Sequence, residues 1–309
     1  MRQHSNGGLR QTRHLDRKVT QGRSLPLLCT AVQGLHFADL QSMENLFGEE
    51  LAERAAPVAP YLGGKSQLAD EIVRRIGRVS HHAYVEVFFG MGGVFYRRDI
   101  KAKIEVINDI NGELVCFLRV LRNHPDALLG ELEGWVSSRQ EFEALKIANT
   151  DHMTDIQRAV RFIYLQRLAF GGKVTGQTFG VSKDRPPRFD LAVLSKSLAV
   201  AAERLRSVTI ENLDWRDLLD RYDDAGVLFY LDPPYWGGEA DYGKGIFARA
   251  DFSEMANRLK MIKGRFVLSL NDRPEVRSLF ADFKIEPVSL TYSIASSQST
   301  SANELIISN

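Results

Sequence analysis

Tyr84-Val85-Glu86-Val87-Phe88-Phe89-Gly90-Met91-Gly92-Gly93 and Val227-Leu228-Phe229-Tyr230-Leu231-Asp232-Pro233-Pro234-Tyr235 are the two stretches that decide the fold. Each is a short run of β-favouring residues that halts at residues unable to continue a strand, glycines in the first and Asp-Pro-Pro in the second. Outward from the first, Val94–Arg98 reads as the start of a helix. Lys103–Ile107 reads as a strand closed by Asn108-Asp109, and a helix follows from Gly112. Strand, glycine turn, helix and strand open a βαβ unit, and hence a parallel sheet. Gln67–Ile76 has helical spacing, with Leu68, Ile72, Val73 and Ile76 apolar. Residues 115–205 are mostly helical in pattern, broken by the glycine-rich 171–180 and by Arg185-Pro186-Pro187. The strand–helix rhythm resumes at Val208–Leu213 and Val227–Leu231. Phe266–Leu270, Ile285–Tyr292 and Glu304–Ser308 read as further strands. The expectation is an α/β core over 57–114 and 206–309, interrupted by a mainly helical insertion over 115–205. Residues 1–56 lack a sustained period of 2 or 3.6 and read as a poorly ordered extension. Met43 is a candidate natural start, and a chain beginning there is expected to fold and act as the longer one does.

A chain of 309 residues, 44% hydrophobic and 26% charged, falls among soluble globular proteins. No apolar run approaches the ~18 residues of a membrane span. Two cysteines, Cys29 and Cys116, give neither a disulfide framework nor a zinc spacing, which suits a reducing cytoplasm. Neither follows a proline, so the Pro-Cys arrangement that attacks a cytosine ring carbon is absent. The near-neutral total, 40 basic against 39 acidic residues, hides an uneven distribution. Residues 1–42 carry +4, and 158–188 hold seven basic residues against Asp184 alone. A positive island on a negative body suggests one place of contact with a polyanion, or else a solvated loop.

Glycines after a first strand let backbone N–H groups approach a nucleotide-like ligand at the carboxyl edge of a parallel sheet. Asp109, at the end of the next strand, can accept bonds from both hydroxyls of a ribose. A dinucleotide fingerprint needs a third glycine where Phe95 stands, which counts against NAD and FAD. Tyr61-Leu62-Gly63-Gly64-Lys65-Ser66 imitates a phosphate loop, but its first glycine position holds Ala59. A glycine pair with a lysine can still hold a small carboxylate. Asp232-Pro233-Pro234-Tyr235 is a proline turn ending a strand, and it also answers a chemical problem. The exocyclic amine of a nucleobase is a poor nucleophile because its lone pair is delocalised into the ring. Two fixed acceptors, the Asp232 carboxylate and the Pro233 carbonyl, can take its two N–H bonds. The prolines immobilise those acceptors, and Tyr235 offers a face on which a flipped base stacks.

These motifs, in this order over about 57–309, resemble the Dam-type (D12 class) DNA adenine-N6 methyltransferases, many of them from phages and prophages. The resemblance implies a Rossmann-like S-adenosylmethionine-dependent methyltransferase sheet. Asp232, Pro233, Pro234 and Tyr235 would be catalytic. Tyr61, Lys65, Glu86, Phe88, Gly90, Gly92 and Asp109 would hold the cofactor, with Lys65 near its methionine carboxylate. Asp214 and Trp215 would hold the cofactor's adenine. Phe162–Phe170 and Gly171-Gly172-Lys173 are similar to the segment leading into the family's DNA-reading hairpin, so 115–205 would be the target-recognition region. Arg167, Phe170, Lys173, Lys183 and Arg185 are the residues expected at double-stranded DNA. No metal and no membrane are expected, and the chain is expected to work as a monomer, with a restriction enzyme as partner left open. Cytosine-N4 methylation poses the same amine problem, but Asp rather than Ser at position 232 favours adenine. A silent DNA-binding protein of the same fold is the rival of another class, and the intact Asp-Pro-Pro-Tyr weighs against it.

Overall fold

The computed structural model describes residues 50–65, 68–181, 184, 186, 188–243, 245–293 and 299–309. Residues 1–49, most of the expected extension, lie outside them. The strands are β1 (Ala83–Glu86), β2 (Ile104–Asn108), β3 (Thr209–Glu211), β4 (Val227–Leu231), β5 (Arg265–Asn271), β6 (Lys284–Ser293) and β7 (Ser299–Ser308). They form one sheet in the order β3-β2-β1-β4-β5-β7-β6. From β3 to β5 every pairing is parallel, while β7 runs antiparallel to β5 and β6. The strand order reverses between β1 and β4, and ligands of open α/β sheets bind at the carboxyl ends beside such a reversal. Both decisive stretches of sequence end there.

Alternation along the strands divides their side chains between two cores. Tyr84, Leu228, Tyr230, Val267 and Ile306 face one. Val85, Phe229, Leu231, Leu268 and Leu305 face the other. The second face is covered by α7 (Trp215–Tyr222), α8 (Arg249–Met261) and α9 (Pro274–Leu279). On the first face lie α1 (Ala69–Ile76) and five helices of the central region. These are α2 (Gly112–Asn123), α3 (Pro125–Leu132), α4 (Arg139–Ile147), α5 (Asp155–Leu168) and α6 (Leu191–Arg204). Phe117, Phe142, Phe162 and Leu194 from these helices join Ile72 and Tyr84 in a single core. The central helices are thus built onto the sheet face and share its interior. Side-chain caps mark their starts: Asn111 accepts from the Glu113 and Leu114 amides, and Thr154 with Gln157 forms a capping box.

Two local expectations change. The helix expected at Val94–Arg98 is one 3-10 turn, Phe95–Arg97. The carbonyls of Tyr96 and Asp99 instead accept the amides of Ala55 and Ala52, and Lys101 N–H donates to Glu50. Residues 50–55, counted with the extension in the sequence reading, therefore bond to the segment that leads into β2. Among the described residues no helix is long and apolar enough to cross a membrane.

Near the start of β2 lies a buried charge cluster. Glu105 of β2 accepts from Arg98 at 2.5 Å and from both terminal nitrogens of Arg204 at 2.5 and 2.8 Å. The Arg98 guanidinium lies 3.8 Å from the centre of the Tyr84 ring, and that of Arg204 lies 3.9 Å from that of Phe95. Burial pushes the Glu105 carboxyl up, but the bonds from Arg204 and Arg98 outweigh it and hold it below the usual range. A buried pair that loses one member leaves the other charge uncompensated, at about 3–5 kcal/mol. Glu105→Gln should therefore lower unfolding free energy by about that amount at pH 7. The group's folded-state pKa is depressed, so its contribution is present above the unfolded value and fades as pH falls through the folded one. Urea titrations should show the gap between variant and wild type narrowing on acidification. A gap that is absent, or constant from pH 7 to pH 3, would contradict this reading of the cluster.

Candidate active site

The carboxyl ends of β1, β2 and β4 open into a cavity of about 680 Å³. That volume lies in the range of small-molecule sites, ~300–1,000 Å³. Its floor is the turn after β1. Gly90 (φ +53) and Gly92 (φ +71) hold left-handed conformations that favour glycine. A Cβ on Gly90 would also lie 3.1 Å from the Tyr61 ring, so a side chain here would meet the far wall. Asp109, at the end of β2, accepts the Gly90 amide at 2.8 Å and the Asn111 amide at 2.9 Å. It presets the glycine turn while bordering the cavity, and burial raises its carboxyl pKa despite the two amide bonds. Asn108 acts in a similar way, since its Nδ2 donates to the Val87 and Leu213 carbonyls and its Oδ1 accepts the Leu213 amide. That single side chain ties the end of β1 to the segment after β3.

At the end of β4, Asp232 receives Lys65 Nζ at 2.6 Å and Ser269 Oγ at 2.9 Å. Among the described residues both contacts fall on Oδ1, leaving Oδ2 toward further donors. Burial raises the Asp232 carboxyl pKa, and the Lys65 ammonium opposes that rise. The same ammonium lies 4.3 Å from the centre of the Tyr235 ring. Lys65 is itself buried and also donates to the Gly63 carbonyl at 3.2 Å. Pro234 borders the cavity with Asp232, while Pro233 and Gly92 are packed behind its wall. Glu86 is 1% exposed, and its Oε2 accepts from Tyr84 OH at 2.6 Å. Burial pushes its pKa up to about 8 although Tyr84 and Arg98 act to lower it. Phe88 lies on the wall and meets Phe247 edge-on, ring centres 6.2 Å apart.

Tyr61, Lys65, Glu86, Phe88, Gly90, Asp109, Asp214, Trp215, Asp232 and Pro234, all named from sequence, border this one cavity. Two of the residues named from sequence also have partners within the protein. Asp214 caps its own helix, α7, accepting the Arg216 amide at 2.9 Å, and both its oxygens lie 3.2 Å from Arg216 Nη1. Arg167, expected at DNA, turns inward: it donates to the Val58 carbonyl at 3.0 Å and the Arg188 carbonyl at 2.6 Å. Burial and the neighbouring Arg188 lower its pKa. The cause is its place on α5, beside the 58–60 segment rather than on the helix's outer face. Phe170 is 61% exposed and Lys173 is exposed. Lys183 and Arg185 lie outside the described residues.

Sequence reasoning missed several residues here. Tyr242 donates to the Leu62 carbonyl at 2.7 Å and packs against Tyr61. No motif announces it. Ser269 carried a signal, a single hydroxyl inside the apolar run Phe266-Val267-Leu268-Ser269-Leu270. Gln166, fully buried on α5, donates to the Pro60 and Gly172 carbonyls at 2.7 and 2.8 Å. It joins the start of the 170–180 loop to the segment that carries Lys65.

A parallel sheet with a glycine turn at its carboxyl edge, and an Asp-Pro-Pro-Tyr whose Asp232 and Pro234 border the cavity there while Pro233 and Tyr235 lie outside its lining, defines a Rossmann-like methyltransferase. Residues 61–294 match the family described as D12 class N6 adenine-specific DNA methyltransferase, and the chain belongs to that family. The protein is thus an adenine-specific DNA methyltransferase, which decides between the adenine and cytosine amines that the residues alone left open. It is similar to the type II methyltransferase M1.LlaDCHI of Lactococcus lactis subsp. cremoris, with 26% identity over 82% of this chain and 95% of that protein. The DNA adenine methylase of Vibrio cholerae serotype O1 is 25% identical over 76% of this chain and 88% of its own. The type II methyltransferase M.MjaIII of Methanocaldococcus jannaschii is 28% identical over 58% of this chain and 68% of its own.

The Glu86 carboxyl gives a pH test of the site. Its pKa rises from an ordinary glutamate value in the unfolded chain to about 8 in the folded one. Across that window the unfolded chain releases a proton that the folded chain keeps, so wild-type stability falls as pH rises toward 8. Glu86→Gln cannot ionise. Its stability relative to wild type should increase steadily from pH 5 to pH 8.5 in paired thermal melts. A difference independent of pH would contradict the assignment.

Proposed function

We propose that the protein takes the methyl group from S-adenosylmethionine and places it on N6 of an adenine flipped out of double-stranded DNA. The single observation that carries this reading is the position of the Lys65 ammonium. It makes to Asp232 and to the Tyr235 ring the two contacts that a flipped base would make, one N–H bond to the carboxylate and one approach to the aromatic face.

The cavity suits the cofactor by its donor set. The glycine turn brings backbone close, Asp109 supplies an acceptor for ribose hydroxyls, and Phe88, Trp215 and Phe247 give apolar walls for an adenine ring. Trp215 Nε1 is buried with no hydrogen-bond partner among the described residues, which supports a polar ligand beside it. When bound, the cofactor supplies a methyl group activated by a sulfonium. The protein's own part is to hold the acceptor. Asp232 and the Pro233 carbonyl take the two amine N–H bonds, which frees the nitrogen lone pair from the ring. The rigid Pro-Pro backbone fixes both acceptors before the base enters, so no reorganisation is needed during reaction. The methylated amine is strongly acidic, and its proton leaves without a strong general base. The exposed Phe170 and Lys173 sit where a loop after α5 can reach the duplex, with Lys173, Lys183 and Arg185 as phosphate contacts and Phe170 as a wedge. Arg167 is held back from the duplex in this reading by the bonds of its two terminal nitrogens to backbone carbonyls.

Asp232→Ala should lower turnover by on the order of 10²–10³ while calorimetry shows S-adenosylmethionine binding retained. Turnover near wild type would overturn the assignment. Replacing Lys173 and Arg185 by Ala should weaken DNA binding and reduce the salt slope by roughly 0.9 per lost phosphate contact, with cofactor affinity unchanged. If neither quantity moves, DNA is held elsewhere.

A further inference from the structure

The Asp-Pro-Pro-Tyr segment is fastened to the sheet at three successive points. Ser269 and Asn271, two apart on β5, point to the same face of the sheet. Ser269 holds the Asp232 carboxylate, and Asn271 brackets the next turn, accepting the Trp236 amide at 2.9 Å and donating to its carbonyl at 3.0 Å. On β7, the residue directly across from Asn271 is Glu304. Its carboxylate accepts the hydroxyl proton of Tyr235.

Glu304 is out of keeping with its neighbours. Leu305, Ile306 and Ile307 follow it into the two cores, yet this position carries a carboxylate that is only 4% exposed. A buried carboxylate is costly unless a donor meets it, and an apolar residue would serve the sheet as well. One donor it meets is the hydroxyl at the far end of the Tyr235 ring. The phenolic oxygen lies on the Cβ–Cγ axis, so anchoring it fixes the direction of the ring, and because the phenolic O–H prefers the ring plane, an acceptor held to one side also favours one plane. Burial and the carboxylates of Asp232 and Glu304 push the Tyr235 phenol far above its ordinary range, which keeps it a donor at any working pH.

We propose that Glu304 is a positioning residue for methyl transfer, which sets the direction and plane of the Tyr235 ring through its hydroxyl so that the flipped base stacks in register with Asp232. The inference rests on the reading of Tyr235 as the residue that receives the base. Glu304 acts through that ring. The antiparallel β5–β7 edge thereby becomes part of the catalytic apparatus, because only a strand beside β5 can place a side chain opposite Asn271.

The test is steady-state methylation of unmethylated DNA with labelled cofactor by the full chain. Glu304→Ala should lower kcat by about 10- to 100-fold, the loss expected of a modest misplacement of a reacting group. S-adenosylmethionine and DNA affinities should stay unchanged. Glu304→Gln, whose amide oxygen can accept the same bond, should recover most of that loss. Tyr235→Phe should lose about as much kcat as Glu304→Ala, and the double variant no more than the larger of the two, because both changes remove the Tyr235–Glu304 bond. Additive losses, or a wild-type kcat in Glu304→Ala, would overturn the proposal. If Glu304→Ala fails to fold in a thermal melt, Tyr235→Phe decides alone, and a wild-type kcat there overturns it. Tyr235→Ala separates the two layers. If it remains fully active, the base-stacking reading itself fails. If it is inactive while Tyr235→Phe is fully active, only the role of Glu304 fails.

Discussion

The contact between Lys65 and Asp232 is the interaction on which the site depends. A carboxylate buried at the end of a parallel strand is unstable as an anion unless a cation or several donors face it. Here the ammonium at 2.6 Å supplies the charge and Ser269 adds a neutral donor. The lysine reaches that place from the segment before α1. That segment is in turn held by Gln166 and Tyr242 through the backbone at 60–62. Gly172 is pressed so closely on this segment that a Cβ would lie 2.9 Å from the Pro60 carbonyl carbon and the Tyr61 nitrogen. The loop that offers Phe170 and Lys173 to solvent is therefore welded to the strand of backbone that ends in the active-site cation.

The sheet was legible because its strands are short and apolar and stop at residues that cannot continue them. Val227–Leu231 coincides with β4, and the parallel core follows the order of the elements, while the antiparallel setting of the last two strands is visible only in the structure. The cavity was legible for a related reason. In a parallel sheet the motifs that follow successive strands must converge on one edge, so Gly90, Asp109 and Asp232 meet although they are far apart in the chain. Composition could not have placed them.

What escaped the sequence were the uses that side chains find only after packing. Arg167 belongs to the basic stretch, but its position on α5 turns it toward carbonyls at 58 and 188. Asp214 begins a helix, and a helix start offers an aspartate unmet amides of its own. The turn at Phe95–Arg97 is short, and residues 52 and 55 bond to the carbonyls of Asp99 and Tyr96, a contact between segments that no periodicity records. Glu304 was read only as one residue of a terminal strand, since its partner is brought to it by the register of β7 on β5.

The central claim is that the Asp232–Tyr235 segment receives the exocyclic amine of adenine. The most direct measurement is nucleoside analysis by mass spectrometry of unmethylated DNA incubated with methyl-labelled S-adenosylmethionine and the full chain. The account predicts label in N6-methyladenine alone, and none when Asp232→Ala replaces the wild type. Label in N4-methylcytosine, or equal labelling by the Asp232→Ala protein, would contradict it.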